Sequence, residues 1–170
     1  MKAVILTAQL FQDQELIYPL YRLDEAGWDL EVATSGGVDI QGIIGVKIAA
    51  TIAIKALRVE DFDLLIIPGG VKAMEKLRLD SDAVKFVRNF YDAGKVIGSI
   101  CSGAQMLISA GVCKGRRISA YPSMAIDVQN AGAMWSEVPC VDGNLVTAPH
   151  YRDVGKWMGL VLDTVAKRAA

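Results

Sequence analysis

Short apolar runs rich in β-branched residues recur along the chain and alternate with longer stretches of helical periodicity. Such runs are typical of buried strands, and the sequence predicts them at 2–8, 28–34, 63–67 and 95–100. The helices predicted between them have aspartate N-caps and glycine stops, at Asp13 and Gly27 and at Asp80 and Gly94. A strand, a helix and a strand in this order form a parallel unit with a right-handed crossover.

Two further segments predict small hairpins. Residues 36–54 set glycines among β-branched residues, and residues 134–145 contain Asp142-Gly143, a strong two-residue turn signal. The whole pattern predicts an α/β fold, a flavodoxin-like sandwich with a mainly parallel central sheet, helices on both faces and small β-hairpin excursions. Because no linker or repeat interrupts the pattern, we expect a single domain over residues 1–170.

Composition narrows the class of protein. Eighteen basic and 19 acidic residues give a net charge of −1, so we expect neither a nucleic-acid partner nor an anionic membrane surface. No apolar run is long enough to span a bilayer. Three widely spaced cysteines argue against a disulfide framework and favour a reducing compartment, which makes the cytoplasm the expected location.

The strand at 95–100 runs directly into Cys101, after which the pattern becomes helical. A sharp strand-to-helix turn lifts a side chain out of the sheet, as in the nucleophile elbow of hydrolases. The positive end of the following helix is expected to lower the thiol pKa toward the thiolate. The alternative is that Cys101 is only a small buried hydrophobic residue.

Sites in open parallel sheets lie outside the carboxyl ends of the strands. This rule places on one rim the loops at 8–15 and 68–75 together with Cys101, Tyr121 and His150. Glu15 and Cys101 could therefore meet, and the Gly69-Gly70 turn is either a plain tight turn or a source of exposed N–H groups. No dinucleotide fingerprint follows the first strand, and one histidine with scattered cysteines does not make a zinc site, so we expect neither cofactor nor metal.

The chain resembles the ThiJ/PfpI superfamily, relatives of the class I glutamine amidotransferases, and within it the PfpI-like intracellular protease branch most of all. The matching stretches are F-Q-D-Q-E-L-I-Y-P, I-I-P-G-G, E-K-L-R-L, S-I-C-S-G-A-Q-M-L-I-S-A-G, G-R-R-I-S-A-Y-P, N-A-G-A-M-W and V-D-G-N-L-V-T. The resemblance implies that Cys101 is the nucleophile and that Glu15 is the acid that hydrogen-bonds its sulfur. It also implies an oxyanion hole built from the backbone N–H groups of Gly70 and Ser102.

The resemblance implies that two further positions are near the pocket, and the chain order adds His150 as a third candidate. Tyr121 matches a pocket-side position, and Glu75 matches a glutamate that reaches the cysteine across a subunit interface in the PfpI branch. Members of that branch usually have histidine directly after the cysteine, where this chain has Ser102. The only histidine, His150, either approaches the same rim or is an ordinary loop residue.

Several functions are compatible with these residues. The first is a glyoxalase III- or deglycase-like enzyme, in which Cys101 adds to small reactive aldehydes such as methylglyoxal and Glu15 acts as acid and base. The second is a PfpI-like cysteine peptidase or hydrolase, which here lacks its usual histidine base. The third is a redox-sensing stress chaperone in which Cys101 is oxidised; glutaminase activity is a weak fourth. The resemblance further implies a homodimer or a larger homo-oligomer.

Overall fold

The computed structural model describes residues 1–169. Its strands are β1 (Lys2–Leu6), β2 (Asp29–Thr34), β3 (Ile40–Gln41), β4 (Lys47–Ile48), β5 (Ile52–Ala53), β6 (Leu64–Ile67), β7 (Val96–Ile100), β8 (Arg117–Ser119), β9 (Met134–Ser136), β10 (Cys140–Asp142) and β11 (Leu145–Ala148). Its α-helices are α1 (Asp13–Glu25), α2 (Val71–Leu77), α3 (Ser81–Asp92), α4 (Ala104–Ser109), α5 (Ala125–Asn130) and α6 (Val154–Ala169). Short 3₁₀ turns join several of these elements.

Seven strands form the central sheet, in the order β10-β11-β7-β6-β1-β2-β5. Every neighbouring pair is parallel except β10 with β11, so the parallel core ends in one antiparallel edge strand. The order reverses between β1 and β6: the chain leaves β1 toward β2 on one side and leaves β6 toward β7 on the other. Such a switch point opens a crevice at the carboxyl ends of the strands.

The middle of the sheet is buried on both faces, as the unbroken apolar strand sequences predict. All four residues of β6 have no exposed surface. Helices α1 and α6 pack against each other, and α3 and α4 form a second packed pair. Trp157 of α6 is fully buried and donates its indole N–H to the carbonyl of Val146 in β11. The predicted flavodoxin-like sandwich is confirmed.

The first hairpin excursion is confirmed, because β3 and β4 pair antiparallel as a separate ribbon. The second predicted hairpin, over residues 134–145, includes a strand that does not belong to it. Only β10 and β11 form a hairpin around Asp142-Gly143, while β9 pairs with β8 in a two-stranded parallel sheet of its own. Among residues 1–169, no helix combines the length and the apolar content needed to cross a bilayer.

The two predicted aspartate caps have different outcomes. Asp80 precedes α3 and accepts hydrogen bonds from the N–H groups of Asp82 and Ala83, as an N-cap does. The prediction for Asp13 is wrong: Gln12 stands at the cap position of α1, with no side-chain capping bond. The Asp13 carboxylate instead binds the loop between β3 and β4. This contact is between distant segments and cannot be predicted from the residues around the start of the helix.

Candidate active site

Cys101 lies directly after β7, at the start of a 3₁₀ turn that leads into α4. Its φ of 60° is left-handed, a conformation that residues with a side chain rarely adopt. The turn packs tightly, since a Cβ on Gly103 would lie 2.6 Å from the carbonyl oxygen of Ile67. Cys101 is partly buried and its thiol is free. It lies at the carboxyl end of β7, the strand beside β6, so the sulfur is one strand away from the switch point between β6 and β1.

Glu15 reaches this point from the first turn of α1 and has no exposed surface. Its Oε2 accepts a 2.7 Å hydrogen bond from the N–H of Gly69, while Oε1 has no partner within the described chain. Burial raises the pKa of Glu15 to about 7, with the Gly69 N–H and the Cys101 thiol acting in the opposite direction. Near neutral pH this carboxyl is therefore divided between its two protonation states.

Gly69 marks the contact between Glu15 and Cys101. A Cβ added to Gly69 would lie 2.5 Å from Glu15 Oε2, 2.8 Å from Cys101 Cβ and 3.1 Å from the nitrogen of Ser102. Only a residue without a side chain allows the carboxyl and the nucleophile elbow to approach this closely. The structure thus brings Glu15 and Cys101 together, although they are far apart in the chain.

The expected lowering of the Cys101 pKa is wrong. Burial, and after it the nearby charge of Glu15, together raise the pKa of the thiol to about 12. The backbone N–H and the hydroxyl of Ser102 act in the opposite direction and do not outweigh burial. The helix that follows the elbow is only six residues long, so its positive end is a weak source of stabilisation.

The two backbone groups predicted to form an oxyanion hole both border the same cavity as Cys101. Gly70 has a φ of 104°, and a Cβ there would lie 2.6 Å from the carbonyl oxygen of Leu10. The Gly70 N–H has no acceptor within residues 1–169. The Ser102 N–H is directed toward the sulfur, where it favours the ionised form. Two N–H groups next to one nucleophile can stabilise an oxygen anion formed on a bound carbonyl.

The cavity at Cys101 has a volume of about 330 Å³. Its lining residues are Gln12, Ile43, Gly70, Val71, Lys72, Cys101, Ser102, Tyr121, His150 and Tyr151. Both aromatic positions predicted for the pocket therefore border it. The Tyr121 N–H donates a 3.3 Å hydrogen bond to the carbonyl of Cys101, which ties this wall to the elbow.

His150 lies between two tyrosine rings, with ring centroids 5.8 Å from Tyr121 and 4.0 Å from Tyr151. Its Nδ1 accepts a 3.2 Å hydrogen bond from the N–H of Arg152. In the neutral ring this leaves the proton on Nε2, which then acts as a donor. A histidine bound in this way is not arranged to take a proton from the thiol.

Glu75 does not belong to the cavity of its own chain. It is exposed on α2, pairs with Lys72 at 3.2 Å, and is not among the residues that line the cavity. Glu75 was expected to reach the cysteine across a subunit interface, and a single chain does not test that expectation. Whether it reaches a neighbouring subunit stays a prediction.

Some residues of the site were missed in the sequence. The Gly69-Gly70 turn was singled out in the sequence, but not the role of Gly69 at the contact between Glu15 and Cys101, which depends on the fold. Tyr151 follows His150 directly in the chain, so the prediction that His150 lies at the rim could have been extended to Tyr151. Ile43 had no local signal, since it reaches the cavity only through the folding of the β3–β4 ribbon. Among the described residues, no group of three or more His, Cys, Asp or Glu side chains could hold a metal ion.

The fold and this geometry define an α/β protein with a cysteine at a strand-to-helix elbow and a buried carboxyl beside it. The pattern of the DJ-1/PfpI family matches residues 1–164, and the chain belongs to that family. The resemblance predicted from the sequence motifs is confirmed.

Several relatives share most of the chain. A protein of Pyrococcus horikoshii named as a deglycase is 40% identical over 159 residues, which cover 93% of this chain and 95% of that protein. A deglycase of Thermococcus kodakarensis is 42% identical over the same shares of the two chains. A crystal structure of a two-domain protein from Anabaena variabilis, with DJ-1/ThiJ/PfpI-like and ferritin-like domains, gives a TM-score of 0.94 at 29% identity. That match covers 97% of this chain and 48% of the Anabaena protein.

Proposed function

We propose that this protein is a cysteine-dependent enzyme that acts on small reactive aldehydes such as methylglyoxal, as a glyoxalase III and deglycase. Cys101 is the nucleophile and Glu15 the acid and base. One observation carries the proposal: a fully buried carboxyl with a pKa of about 7 lies beside a cysteine that borders an open cavity. The relatives named as deglycases support the same activity.

The first step is addition of the sulfur to the aldehyde carbon. A thiol beside the Glu15 carboxylate and a thiolate beside the protonated acid carry the same single negative charge. Proton transfer from Cys101 to Glu15 therefore creates no new charge in the buried site, and it removes the repulsion that raises the thiol pKa. The Ser102 N–H favours the thiolate form, so nucleophile formation is coupled to the attack.

The carbonyl π electrons move to oxygen as the S–C bond forms, and the proton on Glu15 neutralises that oxygen to give a hemithioacetal. Glu15 then removes the proton from C1 to give an enediol and delivers it to C2, while the hydroxyl proton on the C1 oxygen passes to the C2 oxygen; the hemithioacetal thus becomes the thioester of a 2-hydroxy acid. Water hydrolyses the thioester and restores the Cys101 thiol. Methylglyoxal plus water thus gives lactate, with no external oxidant or reductant.

The N–H groups of Gly70 and Ser102 stabilise the oxygen anion that develops during attack and hydrolysis. Removal of one such donor from an enzyme costs about 3 kcal/mol of transition-state stabilisation. A glycated amine or thiol enters the same path once its aldehyde is transferred to Cys101. The substrate class is therefore small 2-oxoaldehydes, free or carried on such adducts.

Lactate formation from methylglyoxal tests the proposal. We expect turnover by the wild type and none above background for Cys101→Ala or Glu15→Gln. Cys113→Ala removes another buried thiol, and Glu25→Gln changes an exposed carboxylate on the same helix, so both serve as matched controls that retain activity. Equal lactate formation by the wild type and Cys101→Ala would reject the proposal.

The other two functions receive less support. A peptidase needs a base and a proton donor for the leaving amine, and the hydrogen bond on Nδ1 of His150 prevents it from acting as that base. A redox sensor would use the same Cys101 thiolate, but the relatives named as deglycases support aldehyde chemistry and not oxidation. Peptide cleavage that is lost in His150→Ala, or selective oxidation of Cys101 by mild peroxide, would reverse this ranking.

We also propose that the chain forms a single domain in a cytoplasmic homo-oligomer. Val38 in the 36–54 excursion and Val71 are at least half exposed, which favours a partner. All three cysteines are free thiols, in keeping with a reducing compartment. Light scattering coupled to gel filtration measures the oligomer; a monomer at all concentrations would contradict this part.

A further inference from the structure

The tip of the β3–β4 ribbon, residues 42–46, forms one wall of the Cys101 cavity. Ile43 at this tip borders the cavity and keeps 54% of its surface exposed. Its neighbour Ile44 is 67% exposed and does not border the cavity. A half-exposed aliphatic side chain at the edge of a cavity gains buried contact when a ligand enters.

The tip is fastened to the helix that carries Glu15. The Ile43 N–H donates a 2.9 Å hydrogen bond to the carbonyl of Phe11. Asp13 is only 3% exposed, and its two carboxylate oxygens accept hydrogen bonds from the N–H groups of Ile44 and Val46, at 2.8 and 2.9 Å. Charged acceptors make strong hydrogen bonds, so Asp13 fixes the tip in place.

The tip packs closely against the start of α1. A Cβ on Gly42 would overlap the Asp13 carboxylate, so only glycine lets the ribbon approach α1 this closely. Asp13 and Glu15 lie in the same first turn of α1. The wall that contains Ile43 is therefore held in a fixed position relative to the proposed acid–base group.

The facing wall is also apolar. Tyr121 and His150 stack with an interplanar angle of 28°, and Val71 adds a half-exposed aliphatic side chain. The one cationic group at the rim, Lys72, is paired with Glu75. An opening between aliphatic and aromatic walls favours an apolar group.

The volume of about 330 Å³ lies at the lower end of the range typical of small-molecule sites and is far larger than a three-carbon aldehyde needs. We propose that the site selects 2-oxoaldehydes that carry an apolar or aromatic substituent, and that Ile43 is the specificity-determining residue, positioned by Asp13. The inference rests on the proposed aldehyde chemistry and names its substrate class.

Steady-state kinetics with phenylglyoxal and methylglyoxal test this inference. The readout is the ratio of kcat/KM for the two substrates, which cancels changes common to both. We expect Ile43→Ala to lower this ratio about tenfold, chiefly by raising KM for phenylglyoxal, because the lost contact is made with the substituent. The matched control is Ile44→Ala, which truncates the exposed neighbour outside the cavity and should leave the ratio unchanged. A ratio that is the same in Ile43→Ala and the wild type would overturn the inference.

A second measurement needs no turnover and separates the two proposals. Alkylation of Cys101 at pH 9 is followed by intact mass, with phenacyl bromide as the aromatic reagent and iodoacetamide as the small polar one. We expect Ile43→Ala to lower the phenacyl-to-iodoacetamide rate ratio, and Ile44→Ala not to change it. If no aldehyde is turned over but this ratio falls, the proposed function fails and the apolar selectivity of the cavity stands. An unchanged ratio overturns the selectivity.

Discussion

The carboxyl of Glu15 accepts a 2.7 Å hydrogen bond from the backbone N–H of Gly69, 54 residues further along the chain. This bond favours the ionised carboxyl, yet burial outweighs it and raises the pKa to about 7. Glu15 is thus poised to gain and lose a proton near neutral pH, as acid–base chemistry requires. The cost of ionising this buried carboxyl should also appear in the stability of the protein.

Glu15 makes folding stability depend on pH. Below pH ~4.5 both the folded and the unfolded chain hold the proton, and the stabilisation from this proton is fully present. Between pH ~4.5 and ~7 only the folded chain holds it, so the stabilisation is lost as the pH rises through the folded pKa. We expect Glu15→Gln to gain about 3 kcal/mol relative to the wild type between pH ~4.5 and ~8. Urea unfolding at both pH values measures the difference; one that does not change with pH would contradict the pKa of Glu15.

The rate of aldehyde turnover should rise as Glu15 ionises. The reactive form pairs the Cys101 thiol with the Glu15 carboxylate, so kcat/KM for methylglyoxal is expected to increase with a midpoint near pH ~7. No second ionisation of the thiol intervenes at moderate pH, because the pKa of Cys101 is raised to about 12. A profile from pH ~5 to ~9 checks this, and a rate that falls across pH ~7 would mean that Glu15 acts only as an acid.

Gly69→Ala should disable the site. The added Cβ would press on Glu15 Oε2 and Cys101 Cβ and force them apart, so we expect kcat/KM to fall about 100-fold. Gly159→Ala is the matched control, since a Cβ on this helical glycine meets nothing within 4 Å. It should retain activity and gain about 0.5–1 kcal/mol of stability. Full activity in Gly69→Ala would show that the approach of Glu15 to Cys101 is not needed.

Asp13→Ala should destabilise the protein. It removes the acceptor for two backbone N–H groups at the tip of the β3–β4 ribbon, with an expected loss of about 3 kcal/mol in the free energy of unfolding. Asp24→Ala removes an exposed carboxylate from the same helix and should change stability by less than about 0.5 kcal/mol. Chemical denaturation compares the two; equal stabilities would mean that water replaces the carboxylate without cost.

The elements with strong local signals were predictable from the sequence. Asp80 caps α3 with its own side chain, and Asp142-Gly143 closes the β10–β11 hairpin, because both arrangements are decided within a few residues. The buried strands of the central sheet follow from unbroken apolar runs. The rim that gathers Cys101, Tyr121 and His150 follows from the rule for parallel sheets.

What failed depends on contacts between distant segments. The partners of Asp13 lie 31 and 33 residues away, so its apparent capping role could not be excluded locally. The pairing of β9 with β8 is likewise decided by tertiary contacts, because the local sequence does not specify which strand β9 pairs with. The pKa of Cys101 was predicted in the wrong direction because its burial and the approach of Glu15 exist only in the folded chain.

Of the non-glycine residues within 1–169, Leu10 and Cys101 have a left-handed backbone, with φ of 68° and 60°. Both lie at the site, since the Leu10 carbonyl stands against Gly70. Such a conformation costs on the order of 1–2 kcal/mol for a residue with a side chain, so neither segment would adopt it alone. The orientation of the sulfur is therefore imposed by the rest of the molecule. A chain that keeps its helices but loosens its packing would release this strain and lose its nucleophile geometry at the same moment.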